Sequence, residues 1–150
     1  MSWKAIARSA TGTSHLKQQI PCQDYGSCKI LHDVIIGAVA DGAGSAIYAD
    51  VGAKLAVDTV LECLTKEKFS GLAPDEAEAR ELFTKVVNQV VATLEAQAVS
   101  KGYAIAELSC TLLAFVATPT WVAAMQIGDG FIVLRCQHEQ LELLFSPDKG

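Results

Sequence analysis

Residues 34–45 constrain the fold of this chain more than any other stretch. They begin as an uninterrupted apolar run, short and partly β-branched, which is typical of a strand buried on both faces. The run ends at Asp41, three small residues follow, and helical spacing resumes at Ile47. A carboxylate at the end of a buried strand is costly without a positive partner, and glycine lets a divalent cation approach the backbone.

Other interpretations of this stretch are a nucleotide-binding loop and a structural aspartate. A dinucleotide fingerprint needs a third glycine at position 47, which is Ile47, and a phosphate-binding loop needs a Gly-Lys-Ser or Gly-Lys-Thr sequence that the chain lacks. An aspartate here can also cap the following helix or close a turn. On this motif alone, that structural role is favoured over a metal ligand.

Composition indicates one domain, residues 1–150, with a sizeable core. Hydrophobic residues make up 51% of the chain, and its formal net charge of -5 argues against nucleic acid or an anionic membrane as a partner. The five cysteines include no Cys-x-x-Cys pair, so they predict small buried residues in a reducing compartment. Without a signal peptide's apolar core or a bilayer-length apolar run, we expect a cytoplasmic protein.

The order of predicted elements is strands, two helices, then strands. Pro74 opens the second helix, and Gly102 is its expected stop. The predicted strands are residues 3–10, 25–31, 34–40, 111–118, 121–127, 131–135 and 141–145; residues 11–21 are a polar loop, and the first helix is residues 46–69.

This order predicts an α+β fold in which helices lie on one side of an antiparallel sheet. The two long helices are joined by a short loop, so we expect them to pack antiparallel. Because the run 34–40 needs cover on both faces, a second sheet is the expected cover opposite the helices.

Three aspartates share a context at strand boundaries: Asp24, Asp41 and Asp129. Strand ends can converge on one rim of a sheet, where three carboxylates would repel one another without a cation. Oxygen-only ligands favour Mg²⁺ or Mn²⁺ over Zn²⁺, and such ions suit phosphoester hydrolysis. Asp24 or Asp129 alone is better explained as a turn residue.

Four motifs in order resemble the protein phosphatase 2C family, metal-dependent serine/threonine phosphatases, in its bacterial branch. They are Ser-His to Pro-Cys-Gln-Asp at residues 14–24, Val-Ala-Asp-Gly-Ala-Gly-Ser at 39–45, Ser-Cys-Thr-Leu at 109–112 and Gln-Ile-Gly-Asp-Gly at 126–130. The resemblance implies a four-layer αββα fold, an antiparallel β-sandwich flanked by helices. It also implies a phosphorylated protein as substrate.

The resemblance also implies site residues. Asp41 would bridge two or more Mn²⁺ or Mg²⁺ ions, the carbonyl of Gly42 would ligate one of them, and Asp24 would act through metal-bound water. Asp129 would lie near an additional metal site. A metal-bound hydroxide would then attack phosphorus in line.

Several positions depart from the family pattern. Gln23 replaces the usual Glu, position 43 is Ala where some members have His, and Gln19 lies where an Arg is usual. His15 is therefore a candidate to bind phosphate or donate a proton, and Arg8 is a second candidate for phosphate, although a loop histidine is more often simply solvated.

Length is the largest departure, because family members supply further metal-binding aspartates beyond the last strands. We therefore expect an interrupted domain and a sandwich that is incomplete, with an exposed sheet that could support self-association. A non-catalytic, phosphatase-like binding module is the alternative function.

Overall fold

A four-stranded antiparallel sheet with two long helices on one face forms the core of the chain. This is seen in a computed structural model that describes residues 2–135, 137 and 140–145. The sheet order is β1-β2-β3-β4, with β1 at Asp24–Leu31, β2 at Val34–Asp41, β3 at Leu112–Ala117 and β4 at Val122–Ile127. All three pairings are antiparallel, so the apolar run predicted as the central strand does lie inside the sheet.

The helices cover one face of this sheet. α1 is Thr13–Gln18, α2 is Ala49–Thr65, α3 is Glu76–Lys101, and a 3₁₀ turn follows at Ile105–Leu108. α2 packs on β1 and β2, and α3 packs on α2. The core between sheet and helices includes Ile36, Ala38 and Val116 from the strands, and Val57, Val60, Leu64 and Val86 from the helices.

The ends of α3 follow from local chemistry, although the helix begins after an Asp75 cap and not at Pro74, where the sequence predicted its start. The Asp75 Oδ1 accepts a hydrogen bond from the Glu78 N–H at 2.8 Å, and the Glu78 Oε2 accepts one from the Asp75 N–H at 2.9 Å. This reciprocal pair satisfies two donors that the first helical turn leaves free. At the other end Gly102 adopts a left-handed conformation with φ 71°, which confirms the predicted stop.

The predicted first strand at residues 3–10 is wrong, because this segment has no regular secondary structure. Its side chains are largely exposed, with Ile6 at 87%, so no buried face holds the segment against a partner strand. The loop predicted for residues 11–21 contains the short helix α1.

α2 is shorter than the predicted helix 46–69 at both ends. The N–H of Ala46 donates to the carbonyl oxygen of Ala43 in a turn before the helix. After the helix, the Trp121 Nε1 donates to the carbonyl oxygen of Ser70 at 3.0 Å, which draws the chain towards the β3–β4 turn.

The α+β class and the antiparallel sheet with a helix pair on one face are confirmed, and a second, small sheet is present. It consists of β5, Val133–Arg135, paired antiparallel with β6, Leu141–Leu143. Most of β2 is buried on both faces, with Ile36 fully buried against the helices and Ile35 at 7% on the other face, but Val39 on that other face is 52% exposed. Cover on both faces therefore does not hold for Val39.

Two expectations concern residues outside this description. They are the burial of Cys136 and the interruption of the domain at residues 146–150. The other cysteines, Cys22, Cys28, Cys63 and Cys110, are free and half-buried. Among the described helices, none combines the length and the apolar character that crossing a bilayer requires.

Candidate metal and phosphate site

Asp24 and Asp41 lie side by side at one end of the sheet. The β1–β2 connection has only two residues, His32 and Asp33, and it sets Leu31 opposite Val34. That register carries through the ladder to set Asp24 opposite Asp41. Directly opposed residues of an antiparallel pair point to the same face, with Cβ atoms about 4.5–5.5 Å apart. Two carboxylates from different strands therefore share one exposed position.

The face on which this pair lies follows from alternation along the strand. Ala40, the residue before Asp41, is buried in the core beneath the helices. Successive side chains of a strand point to opposite faces, so Asp41 points away from the helices, and Asp24 points the same way. Both are solvent-exposed in the described structure. The pair is thus on the open face of the sheet, at its rim.

The backbone of Asp41 is fully engaged with Thr111, the residue just before β3. Its N–H donates to the Thr111 Oγ1 at 3.0 Å, and its carbonyl oxygen accepts from the Thr111 N–H at 2.8 Å. Because the main chain is satisfied in this way, the carboxylate is the group of Asp41 that remains free to bind a ligand. Thr111 lies inside a motif that the sequence singled out, but no role was predicted for it.

Gly42 lies at a point of close approach. Its N–H donates to the carbonyl oxygen of Gln23 at 3.1 Å. A Cβ at this position would be 2.8 Å from that oxygen and 2.8 Å from the Ala49 Cβ, so only glycine fits between β1 and the start of α2. No hydrogen bond from a described residue reaches the carbonyl oxygen of Gly42. That oxygen is therefore available to a cation.

Several neighbouring groups act on the carboxyl of Asp41, and its pKa is raised from 3.8 to about 6. Hydrogen bonding to the Asp24 carboxyl is the largest cause, followed by partial burial and by the negative charges of Asp24 and Asp129. The positive charge of His15 acts in the opposite direction and lowers this pKa. Asp24, Asp129 and His15 therefore all act on one carboxyl group.

Asp129 comes from a glycine turn after β4. The flanking Gly128 and Gly130 have φ values of 84° and 111°, which few other residues tolerate. The Gln126 Nε2 donates to the carbonyl oxygen of Gly128 at 2.8 Å and braces the turn. Even so, the described residues contain no group of three or more His, Cys, Asp or Glu side chains able to hold a metal ion. The close pair is Asp24 with Asp41, and Asp129 acts on it through its charge.

His15 and Arg8, the predicted phosphate-binding residues, differ in their placement. His15 lies on α1 instead of the expected loop, close enough for its charge to affect Asp41. Arg8 lies in the exposed segment before α1 and makes no ion pair with any described residue. His15 therefore acts electrostatically on the acidic pair, whereas Arg8 is not among the groups that shift the pKa of Asp41.

Cys110 faces Gly42 across an isolated bridge and is not a nucleophile candidate. Burial, and secondarily the negative charge of Asp41, raise the pKa of its thiol. A protonated thiol is a poor nucleophile, so a packing role fits Cys110.

The donor set fits a hard divalent cation. Asp24 lies opposite Asp41 and raises the pKa of its carboxyl, so a cation between the two groups would let both ionise readily. Carboxylate and carbonyl oxygens are the ligands that Mg²⁺ and Mn²⁺ prefer, and Gly42, the residue after Asp41, has a carbonyl oxygen that no described hydrogen bond uses.

Comparison with known proteins agrees with the geometry. The family model described as Protein phosphatase 2C matches residues 11–150. The chain is 34% identical to serine/threonine-protein phosphatase 3 of Escherichia coli (strain K12) over an alignment that covers 100% of this chain and 60% of the relative. It thus spans less than two thirds of that relative's length, and no solved structure matches. This chain belongs to the protein phosphatase 2C family.

Proposed function

We propose that this chain carries part of the active site of a metal-dependent phosphatase that hydrolyses phosphoserine and phosphothreonine in proteins. The observation that carries the proposal is the in-register pair of Asp24 and Asp41, beside a glycine whose carbonyl oxygen is free to bind. Family membership supports it, as does the similarity to serine/threonine-protein phosphatase 3 of Escherichia coli.

The roles of the residues follow from their positions. Asp24 and Asp41 would hold Mn²⁺ or Mg²⁺ together with the Gly42 carbonyl, and Asp129 would add negative charge at the rim. When bound, two or more such ions would lower the pKa of water to yield a nucleophile at neutral pH and would neutralise charge on the phosphoryl group. His15 would orient the phosphate or protonate the leaving oxygen.

Partners and location remain predictions from the sequence. Phosphorylated protein is the expected substrate, and the net charge of -5 disfavours nucleic acid and anionic membranes. The open face of the sheet supports the prediction of self-association. A cytoplasmic location and a phosphate contact from Arg8 are also predictions.

The direct test is hydrolysis of an aryl phosphate and of a phosphothreonine peptide in Mn²⁺, with the unchanged chain and with Asp41→Ala. Activity should fall more than about 100-fold in the variant, because a ligand shared by the ions is lost. Asp33→Ala is a matched control, since Asp33 lies in the turn at the opposite end of the same hairpin. Equal activity of the unchanged chain and Asp41→Ala would refute the proposal.

One observation favours the alternative, a non-catalytic binding module. Gln23, at the position where the family usually has Glu, carries a neutral amide and is only 9% exposed, whereas Asp24 is exposed. It therefore adds no ligand to the acidic pair. Calorimetry that detects no Mn²⁺ binding, together with no turnover, would favour this alternative over catalysis.

A further inference from the structure

The loop that carries Gly42 is held from outside by the segment that follows α3. We define the site loop as residues 42–48, between β2 and α2. The N–H of Ala43 donates to the carbonyl oxygen of Ser109 at 2.9 Å, and the N–H of Tyr48 donates to that of Glu107 at 2.9 Å. The 3₁₀ turn and Ser109 thus form a continuous set of contacts along the site loop.

Glu107 adds a side-chain contact to this set of backbone contacts. Its Oε2 accepts a hydrogen bond from the N–H of Ile47 at 2.7 Å, across 60 residues of sequence. α2 has no side-chain cap of its own, because Tyr48 at the cap position makes no such bond. A carboxylate from a remote turn therefore holds the residue just before the helix cap, near the helix N-terminus, where the dipole favours a negative charge.

Two further contacts make this arrangement stiff. The rings of Tyr48 and Tyr103 stack with centroids 3.6 Å apart and an interplanar angle of 12°. Gly52 in α2 lies so close to Leu108 that a Cβ there would overlap the Leu108 carbonyl oxygen. The Tyr48–Tyr103 stack and the close approach of Gly52 to Leu108 therefore hold the segment after α3 against α2. Glu107 lies between Tyr103 and Leu108 in that segment.

We propose that Glu107 is a positioning residue for the metal site, which acts by holding the site loop so that the Gly42 carbonyl stays beside Asp24 and Asp41. The inference rests on the proposed function, because it concerns the affinity of that site for Mn²⁺. In this role Glu107 would act through its contacts with Ile47 and Tyr48, without binding the ions or the substrate itself. It fixes the backbone from which one ligand projects, and outer groups of this kind commonly change metal affinity about 10- to 100-fold.

The test compares Glu107→Ala and Glu107→Gln with the unchanged chain. Mn²⁺ affinity, measured by calorimetry, should fall about tenfold in Glu107→Ala. It should stay within about threefold in Glu107→Gln, because the amide oxygen can still accept from Ile47. In the metal-free protein, amide hydrogen exchange at residues 43–48 should be faster in Glu107→Ala only.

Asp75→Ala is the control for a merely stabilising role. It removes the cap of α3, so it should lower the urea midpoint of unfolding and leave Mn²⁺ affinity unchanged. Unchanged affinity in Glu107→Ala, or an equal loss in Asp75→Ala, would overturn the inference while the unchanged chain still binds Mn²⁺. If the unchanged chain binds no Mn²⁺, the proposed function fails and this inference falls with it.

Discussion

At the scale of single residues, the carboxyl groups of Asp24 and Asp41 repel each other when both are ionised. Neither carboxyl is deeply buried, yet the pKa of Asp41 rises to about 6, chiefly through hydrogen bonding to Asp24. A turn residue gains nothing from such a neighbour, whereas a cation site needs it. The pair therefore costs stability when both groups ionise without metal, and a bound cation would remove that cost.

This cost predicts a pH dependence for the metal-free protein. The folded Asp41 binds its proton more tightly than the unfolded group, whose pKa is near 3.8. Between about pH 4 and 6 the folded state therefore holds more protons, and the free energy of unfolding contributed by Asp41 falls as pH rises. Urea unfolding in a chelator at pH 4, 5, 6 and 7 measures this slope.

Asp41→Asn separates this contribution from other titrating groups. The variant keeps the shape of the side chain and can accept or donate to Asp24 without a charge, so it should lose stability less steeply than the unchanged chain across the same pH window. Parallel stability curves for the two proteins would contradict the assigned coupling.

At the scale of elements, the junction of α2 with the 3₁₀ turn determines where the site loop lies. Sheet register alone places Asp24 and Asp41, but Gly42 depends on where α2 begins. α2 packs on both β1 and β2, and its N-terminal turn also packs against Leu108. Helix, strand and turn therefore meet around the loop that carries Gly42.

Gly52→Ala should strain this junction. Its methyl group would overlap the Leu108 carbonyl oxygen, so helix and turn must separate, at a cost of about 1–3 kcal/mol. Urea unfolding measures the loss. Gly71→Ala, where a Cβ would meet nothing within 4 Å, is the matched control and should be neutral within about 0.5 kcal/mol. Equal stability of Gly52→Ala and the control would show that the close approach is not tight.

At the scale of the whole molecule, local patterns predicted the centre of the fold better than its connections. The apolar run of β2, the Asp75 cap and the Gly102 stop are each encoded within a few residues. The two-residue turn after Leu31 was also sufficient to set Asp24 opposite Asp41. The role of Glu107 was missed because its partner, Ile47, is 60 residues away and shares no periodicity with it.

The N-terminal segment shows that a local alternating pattern does not by itself produce a strand. Residues 3–10 alternate imperfectly and were predicted as a strand, but alternation gives a strand only where one face is buried. Ile6 is 87% exposed, so this segment has no such face among the described residues. Arg8 is carried on that segment and makes no ion pair with any described residue, so its phosphate contact remains a prediction.

The open face of the sheet predicts self-association. Ile30 on the edge strand β1 is 45% exposed and Val39 is 52% exposed, and both point away from the helices. An apolar face beside an unpaired strand edge favours pairing with a second copy. Sedimentation at increasing concentration should show association that Ile30→Lys weakens. Val99→Lys, at an exposed position on α3, should leave it unchanged, and an equal effect of both variants would argue against the sheet face.

Cation binding should stabilise the entire fold, because the predicted ligands come from remote parts of the chain. Asp24 begins β1, Asp41 ends β2 and Asp129 follows β4, so an ion held among them ties these segments together. A ligand that binds only the folded state adds about 2.7 kcal/mol at one hundred times its dissociation constant. For a chain of this size that corresponds to a rise of about 5–10 °C in melting temperature.

Calorimetric melting with Mn²⁺ and with a chelator measures this rise. Asp33→Asn should keep the full shift, since Asp33 lies at the far end of the hairpin, whereas Asp41→Asn should lose most of it. Asp129→Asn should lose a smaller part, because Asp129 acts on Asp41 through its charge and lies outside the close pair. A shift that survives intact in Asp41→Asn would place the bound ion somewhere other than the rim of this sheet.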